Sequence, residues 1–229
     1  MYDTVMETLR YCKYRVFSKG EDLEEIFRLR YDCYHAEGLI PKNERGIMSD
    51  PYDESPNCVH VAVEFGGVLL ASVRLHLASD RVWETPTIEV FPDILDSIPD
   101  GQTMLDPTRF VVRPEAREVG LPLHFVALRI PFLAAMFYDI DVAIAPVRIE
   151  HYPFYRRYLY HDVWSMPRPY PYLSKPLGLL ATKPKERRGK VLARYPFFGP
   201  INPVLRSEIY FPDLPDVFSD PAWPIRRVA

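Results

Sequence analysis

The chain has 229 residues, 48% of them hydrophobic, and a formal net charge of −3. This length allows one domain with a substantial core, and the negative charge argues against binding of nucleic acid by overall electrostatic attraction. Three cysteines without a CxxC pair argue against a disulfide framework or a zinc site and favour a reducing, cytoplasmic setting. We expect no signal peptide and no membrane span, because no run approaches the roughly 18 apolar residues that a span needs.

The first predicted element is a helix over residues 21–36, where apolar side chains recur at helical spacing. The polar, turn-rich residues 38–57 predict a loop. Two β-rich runs joined by Gly66-Gly67 predict a hairpin, because glycine tolerates the positive φ angles of a two-residue turn. Residues 77–103 show no sustained period and predict a long excursion of the chain, of the kind that is usually functional or mobile.

The second half of the chain alternates between strand and helix patterns. In chain order it predicts a third strand (103–112), a long apolar helix (118–137), a buried strand (141–147), a short helix or turn (151–160) and a last strand (172–182). Pro122 and Pro131 are expected to shape the start of the long helix and to kink its middle. After Pro184 the helix and strand patterns fade in a proline-rich tail.

This order of elements predicts an α/β (α+β) fold, with a mixed, mostly antiparallel central sheet flanked by helices. We expect one domain over residues 1–183 and an ordered, proline-rich C-terminal extension over residues 184–229. The extension is expected to pack on the same domain, because it contains no run long enough to form a core of its own.

Charged residues interrupt the apolar strand patterns at two places. Arg74 and Arg109 lie inside otherwise apolar runs, and Asp50 and Asp53 lie in the loop before the hairpin. A buried guanidinium group needs a carboxylate partner, so we expect these arginines and aspartates, with Asp106 as a further candidate, to meet in space. Such a cluster of charges beside a hairpin is more typical of a functional site than of a core.

These residues, on this order of elements, resemble the GNAT acyltransferase superfamily, and within it the branch that holds the acyl-homoserine-lactone synthases and the N-acyl amino acid synthases. The motif Arg30-x-x-x-Tyr34 resembles the family's Arg-x-x-x-aromatic pattern, and Asp50-x-x-Asp53 resembles its paired acids. The resemblance covers roughly residues 25–182.

Further motifs extend the same resemblance. Arg74 corresponds to the arginine that ends the family's third strand, and Asp106-x-Thr-Arg109-Phe is similar to its Glu-x-Ser-Arg-Phe segment, with aspartate in place of glutamate. The stretch that begins at His151 resembles the His-x-x-Phe-Tyr of the amino-acid-acylating branch. We therefore favour an N-acyl amino acid synthase over a lactone synthase.

The resemblance implies transfer of a medium or long fatty acyl chain from an acyl carrier protein thioester, or from acyl-CoA, to the amine of a small amino acid acceptor. It implies no tightly bound cofactor, and the six histidines show no metal-binding spacing. One alternative is an acyl-homoserine-lactone (autoinducer) synthase that uses S-adenosylmethionine. A plain acetyl-CoA transferase is less favoured, and a non-catalytic module that binds an acylated ligand is the alternative outside the enzymes.

In this interpretation, Asp50 and Asp53 bind the ammonium group of the acceptor and relay its proton, or else cap a turn and pair with the arginines. Tyr155 lies where many relatives carry the tyrosine that protonates the departing thiolate, although a packing role is an equal alternative. The expected substrate-binding residues are Arg30, Tyr34, Arg74, Asp106 and Arg109. Arg74 and Arg109 are expected either to clamp a substrate carboxylate or to pair permanently with the aspartates.

The resemblance also implies where the acyl donor binds. The oxyanion donor is expected among the backbone N–H groups of Phe110, Val111 and Val112. Residues 117–122 resemble a degenerate form of the superfamily's phosphate-binding turn, so Val112, Arg117 and Gly120 are expected to bind the donor, with an ordinary helix stop as the alternative. A proline in this turn removes one N–H donor, which favours carrier protein over coenzyme A.

Two longer features fit an acylated carrier protein. The apolar helix and the buried strand that follows it supply a wall for a fatty acyl chain, or are simply core. The start of the tail carries a basic cluster that consists of Lys183, Lys185, Arg187, Arg188, Lys190 and Arg194. Because acyl carrier proteins are acidic, this cluster is a candidate docking surface, with a solvated run of charges as the alternative.

Overall fold

The computed structural model describes residues 1–200 and 209–218, apart from the side chain of Arg117. Seven strands form one sheet in the order β1-β2-β3-β4-β5-β7-β6. The strands are β1 (Cys12–Phe17), β2 (Cys58–Phe65), β3 (Val68–Ala78), β4 (Met104–Val112), β5 (Val142–Val147), β6 (Asp162–Arg168) and β7 (Leu177–Thr182). The α-helices are α1 (Tyr2–Tyr11), α2 (Glu24–Ala36), α3 (Pro86–Val90), α4 (Pro114–Glu118), α5 (Leu123–Phe137), α6 (Tyr152–Leu159) and α7 (Pro184–Arg194).

The expected mixed sheet is confirmed, because β4 and β5 run parallel while the other five pairs in this sheet run antiparallel. Helices cover both faces, and the alternation of side chains along β2 shows which helices lie on each face. Val61 and Val63 belong to the core that includes α1 and α5, whereas Ala62 packs with α2 on the opposite face. None of the described helices has the length and apolar character needed to cross a bilayer.

Six of the described helices and strands were not predicted: α1, β1, α3, α4, β6 and α7. The strand β6 lies at an edge of the sheet and exposes part of its length, so its sequence lacks the apolar alternation of a half-buried strand. The helix α7 corrects the expectation that regular structure fades after Pro184, since proline is well tolerated in the first turn of a helix. The long apolar helix starts at Leu123 and not at 118, because Gly120, at φ +74°, ends the short α4 first.

The described part of the C-terminal extension packs against the domain. Phe198 and Phe211 are buried in the core on the α5 side of the sheet, and the Pro212 carbonyl accepts a hydrogen bond from Tyr138 on the domain. The remainder of the extension falls outside the described residues.

Candidate active site

A break in the regular pairing of β4 sets the geometry of the site. Ser72 stands opposite Val111 and Arg74 opposite Thr108, so β4 carries one extra residue between these pairs. This is a β-bulge, and Arg109 within it has a positive φ of 51°. Simple alternation would turn Arg109 to the face opposite Thr108. The left-handed conformation of Arg109 changes the direction of its side chain, at a backbone cost of about 1–3 kcal/mol.

The bulge completes a buried network of three guanidinium groups and two carboxylates, here called the charge cluster. It consists of Arg30, Arg74, Arg109, Asp50 and Asp53, whose side chains are at most 4% exposed. Arg30 donates to Asp53 at 2.6 Å. Arg74 donates to Asp50 at 2.6 Å and to Asp53 at 2.9 Å, and Arg109 donates to Asp50 at 2.5 Å. The expectation that these arginines and aspartates meet is confirmed, and the cluster carries one more positive than negative charge.

The two aspartates are held as permanent partners of the arginines. Asp50 also caps a 3₁₀ turn (Pro51–Glu54) by accepting from Tyr52 N, and Asp53 accepts from Asp50 N. Burial alone would raise the pKa of Asp50, but hydrogen bonds and charge from the arginines outweigh it and hold the pKa well below its usual range. A carboxylate with such a pKa is a weak base. The structure thus favours the scaffold alternative over proton relay by Asp50 and Asp53.

His60 lies against the charge cluster in a neutral form. Its Nδ1 accepts from Arg30 at 3.0 Å, and its Nε2 donates to the Asp53 carbonyl oxygen at 2.9 Å. Burial and the Arg30 charge lower the pKa of His60 to about 4. The nearby His76 is also neutral, because burial and the Arg74 charge lower its pKa to about 3.

We predict that mild acid destabilises the fold through these histidines. The unfolded chain binds a proton at each near pH 6.5, whereas the folded protein resists until about pH 4, so stability falls as pH drops from 6.5 towards 4. The expected decrease in the free energy of unfolding is on the order of 3 kcal/mol for His60 alone.

Denaturant unfolding at pH 7, 6 and 5 measures this decrease in stability. His76→Gln should flatten the profile, whereas a substitution at exposed His35 should not, and a flat wild-type profile would contradict the prediction.

Asp106 does not join the charge cluster, so the alternative in which an arginine pairs with Asp106 is wrong. Its carboxylate accepts from Thr87 Oγ1 at 2.8 Å and from Thr87 N at 3.2 Å. The same threonine hydroxyl lies 3.2 Å from Tyr170 Oη. Burial raises the pKa of Asp106 against these hydrogen bonds. Asp106 therefore anchors the start of α3 to β4.

A gap between β4 and β5 opens beside the cluster. The two parallel strands pair only at Met104 with Val142 and at Leu105 with Ala143 within the described sheet, and then separate. A cavity of about 410 Å³ occupies the gap, within the range of about 300–1,000 Å³ that is usual for small-molecule sites. It is bounded by residues 107–110 on one side and residues 143–148 on the other.

The cavity passes through the sheet, because helices of both faces contribute to its wall. Tyr34 of α2 lines it from one face, and Leu128 and Phe132 of α5 and Tyr155 of α6 line it from the other. Arg109 is the member of the charge cluster that reaches it. Four expected site residues, Tyr34, Arg109, Phe110 and Tyr155, are thus brought to one cavity, whereas Arg30, Arg74, Asp50 and Asp53 lie behind Arg109 as its support.

Successive backbone N–H groups of β4 point alternately towards β3 and away from it. Arg113 N donates to Leu70 O on β3 at 2.8 Å, so the N–H of Val111 also points to β3 and is spent on the sheet. The N–H of Val112 points away from β3, although its side chain is core and Val112 is not among the residues that line the cavity. Among the expected oxyanion donors, the geometry therefore favours Val112 over Val111, and Phe110 contributes the wall beside it.

The expected phosphate-binding turn takes the form of a helix stop. Leu121 N donates to Ala116 O at 3.0 Å across Gly120, which is the hydrogen bond of a helix C-terminus. Gly120 is absent from the cavity wall as far as the structure describes it. The backbone of Arg117 lies in α4, and its side chain lies outside the described residues.

Sequence reasoning did not identify several residues of the cavity. Tyr170, His161 and Arg148 line it, but they lie in or next to segments whose patterns are weak, and no motif marks them. Burial lowers the pKa of His161 to about 4, so this ring is neutral. Among the described residues, no group of three or more histidine, cysteine or carboxylate side chains is placed to hold a metal ion.

Basic side chains border the cavity on the helix side. Arg187 and Arg188 at the start of α7 line it directly, while Lys190 and Arg194 are exposed further along the same helix. Lys185 pairs with Asp141 at 2.7 Å. The expected basic cluster is thus adjacent to the cavity.

Several solved structures share this fold. FeeM, an N-acyl amino acid synthase from uncultured soil microbes, has 16% sequence identity and a TM-score of 0.66 over 80% of this chain and 96% of its own. BjaI, a CoA-dependent acyl-homoserine lactone synthase solved with SAM and isopentyl-CoA, has 17% identity and a TM-score of 0.59 over 81% and 90%. An acyl-CoA N-acyltransferase from Pseudomonas aeruginosa has 18% identity and a TM-score of 0.51 over 74% and 98%. No curated protein sequence matches the chain.

The expected resemblance to this branch of acyltransferases is confirmed at the level of sequence as well as fold. The profile of the family described as N-acyl amino acid synthase FeeM matches residues 25–183, which is well over half of the chain. That match includes the charge cluster, the bulge in β4 and the two strands that border the cavity. The chain therefore belongs to the FeeM family of N-acyl amino acid synthases.

Proposed function

We propose that this protein transfers a fatty acyl chain from an acyl carrier protein thioester to the amine of an amino acid. The single observation that carries the proposal is the cavity through the sheet, which has a cationic group on one face and an apolar wall on the other. Two substrates that enter from opposite faces would meet in the gap between β4 and β5. Holding both reactants in line supplies much of the rate enhancement in such a reaction.

The acceptor is assigned to the α2 face, because the charge cluster has an excess positive charge there. Arg109 spends Nε and Nη2 on Asp50, and its Nη1 makes no hydrogen bond to the described residues. A substrate carboxylate would neutralise this excess. That requirement favours an amino acid over a simple amine.

The acyl donor is assigned to the face of α5, α6 and α7. Leu128, Phe132 and Ala135 of α5 form an apolar wall for the acyl chain. The basic residues of α7 beside this wall suit an acidic carrier protein. This partner would place the reaction in the cytoplasm.

The reaction needs a neutral amine, a stabilised oxyanion and a thiolate that leaves. The Val112 N–H, which points away from β3, is the proposed oxyanion donor, since a preorganised backbone dipole costs no reorganisation. Tyr155 lines the cavity on the donor side and is the proposed acid for the departing sulfur. The buried cluster behind Arg109 keeps that guanidinium group fixed.

The test is an acyl-transfer assay with acyl carrier protein or coenzyme A as the donor and pooled amino acids as acceptors, followed by mass spectrometry. We expect N-acyl amino acids from the carrier-protein thioester. Lactone products with S-adenosylmethionine would instead identify an acyl-homoserine-lactone synthase. Product from acyl-CoA alone would remove the carrier protein from the proposal, and tight lipid binding without turnover would indicate a binding module.

Reversing charge on α7 should weaken the carrier protein as a donor. Lys190 and Arg194 are exposed and one turn apart, so the double variant Lys190→Glu with Arg194→Glu should raise KM for the acyl carrier protein about tenfold. The rate with a carrier-free acyl thioester should not change. A matched double reversal at exposed Lys13 and Lys19 is the control. Equal effects at the two sites would show that only net charge matters.

A further inference from the structure

Two tyrosines line the cavity from opposite faces of the sheet. Tyr34 reaches the cavity from α2 and Tyr155 reaches it from α6, so they approach the reaction from the acceptor face and the donor face. Neither hydroxyl makes a hydrogen bond to the part of the chain that the structure describes. Both side chains are half-buried. The donor and acceptor capacity of each hydroxyl is therefore not taken up by the described residues.

Their surroundings fix where each hydroxyl acts. The Arg109 guanidinium carbon lies 5.9 Å from the Tyr34 ring, which puts Tyr34 beside the group assigned to the acceptor carboxylate. The Tyr155 ring meets the His161 ring edge-on at 5.5 Å. Burial raises the pKa of Tyr155, and the nearby Tyr34 raises it further. Tyr155 thus remains protonated at neutral pH.

The chemistry requires one proton to cross from the acceptor side to the donor side. When an amine attacks a thioester, a C–N bond forms and the C–S bond breaks. The nitrogen must lose a proton and the sulfur must gain one. A relay that joins these two atoms leaves the protein unchanged at the end of each turnover.

Three buried aspartates near the cavity are poorly suited to this transfer. Asp50 and Asp53 are locked to arginines that lower their pKa values, and Asp106 is held by Thr87 away from the cluster. His161 lines the cavity as a neutral ring, but its Nδ1 is buried and makes no hydrogen bond to the described residues.

We propose that Tyr34 is a further catalytic residue, which takes the proton of the attacking amine and passes its own through one water molecule to Tyr155. Tyr155 then gives its proton to the leaving sulfur, so the N–H bond is replaced by an S–H bond and both tyrosines end the cycle neutral. This assignment rests on the proposed function. It extends that function by giving the acceptor side its own proton acceptor.

The test compares Tyr34→Phe, Tyr155→Phe and the double variant with an acyl-pantetheine thioester. We expect each single variant to lower kcat by roughly 10²-fold, at the low end of general acid–base effects. The double variant should be no slower than the slower single variant, because one relay can be broken only once. Tyr31→Phe, one turn earlier on α2, is the matched control.

A second donor separates proton relay from packing. An acyl thioester of an acidic aromatic thiol leaves without protonation, so Tyr155→Phe should recover to within about threefold of the wild type. Tyr34→Phe should stay slow, because the attacking amine must still lose its proton. Multiplied effects in the double variant with acyl-pantetheine, or an undiminished loss for Tyr155→Phe with the acidic thiol, would overturn the relay. Wild-type turnover with a fully active Tyr34→Phe variant would overturn it and leave the proposed function intact. Absence of wild-type turnover would overturn both.

Discussion

Asp53→Asn is expected to lower the free energy of unfolding by about 3–5 kcal/mol, because it removes one carboxylate from between two buried guanidinium groups. Arg30 and Arg74 both donate to this carboxylate, at 2.6 and 2.9 Å, and water cannot replace it at 2% exposure. An amide oxygen accepts both of these hydrogen bonds, which end on one oxygen of Asp53, but it supplies no charge. Its NH2 group would also face the Asp50 N–H, which now donates to the second carboxylate oxygen. Since single domains are stable by only about 5–15 kcal/mol, the variant loses a large share of its stability.

Denaturant unfolding at pH 7 measures this loss, and Asp93→Asn is the matched control. Asp93 also pairs with an arginine, Arg168, through two hydrogen bonds, but that pair lies on the surface. The control should unfold close to the wild-type midpoint. If both variants unfold alike, the cluster does not depend on the Asp53 charge. Activity per folded molecule should fall as well, since Arg109 loses its support through Asp50 and Arg74.

The charge cluster could be predicted from the sequence, but which aspartate pairs with which arginine could not. An arginine within an apolar strand must find a carboxylate, so Arg74 and Arg109 pointed to the aspartates nearby. Which aspartate each arginine meets depends on the faces of β4. There the bulge, with Arg109 in a left-handed conformation, overrides alternation. No propensity marks a bulge at an arginine, so the separation of Asp106 from the cluster was not predictable.

The sheet was predictable where patterns were strong. The hairpin, β4, β5 and β7 follow from apolar runs and turn residues. The edge strand β6 and the helix α7 were missed, because one lacks alternation and the other begins at a proline in a proline-rich segment. The cavity through the sheet could not be predicted, since it depends on the point at which two parallel strands cease to pair.

Arg109→Lys is expected to raise KM for the amino acid acceptor by about 10–100-fold while leaving KM for the acyl donor unchanged. Hydrogen bonds to charged groups contribute about 1.5–3 kcal/mol each, and lysine keeps the charge but loses the planar fork. The fork matters here because Arg109 must hold Asp50 with two nitrogen atoms and the acceptor with the third. Initial rates at saturating donor measure the effect.

This prediction has two controls, which are a second arginine variant and an acceptor amine that lacks the carboxylate. Arg113→Lys changes the next arginine along the chain, which bonds the Leu69 carbonyl and not the cluster, and should leave acceptor KM as it is. With an acceptor amine that lacks the carboxylate, wild type and Arg109→Lys should react equally slowly. A loss that is equal for both acceptors would mean that Arg109 only supports the fold. A loss confined to the amino acid would mean that the surplus positive charge of the cluster selects the substrate.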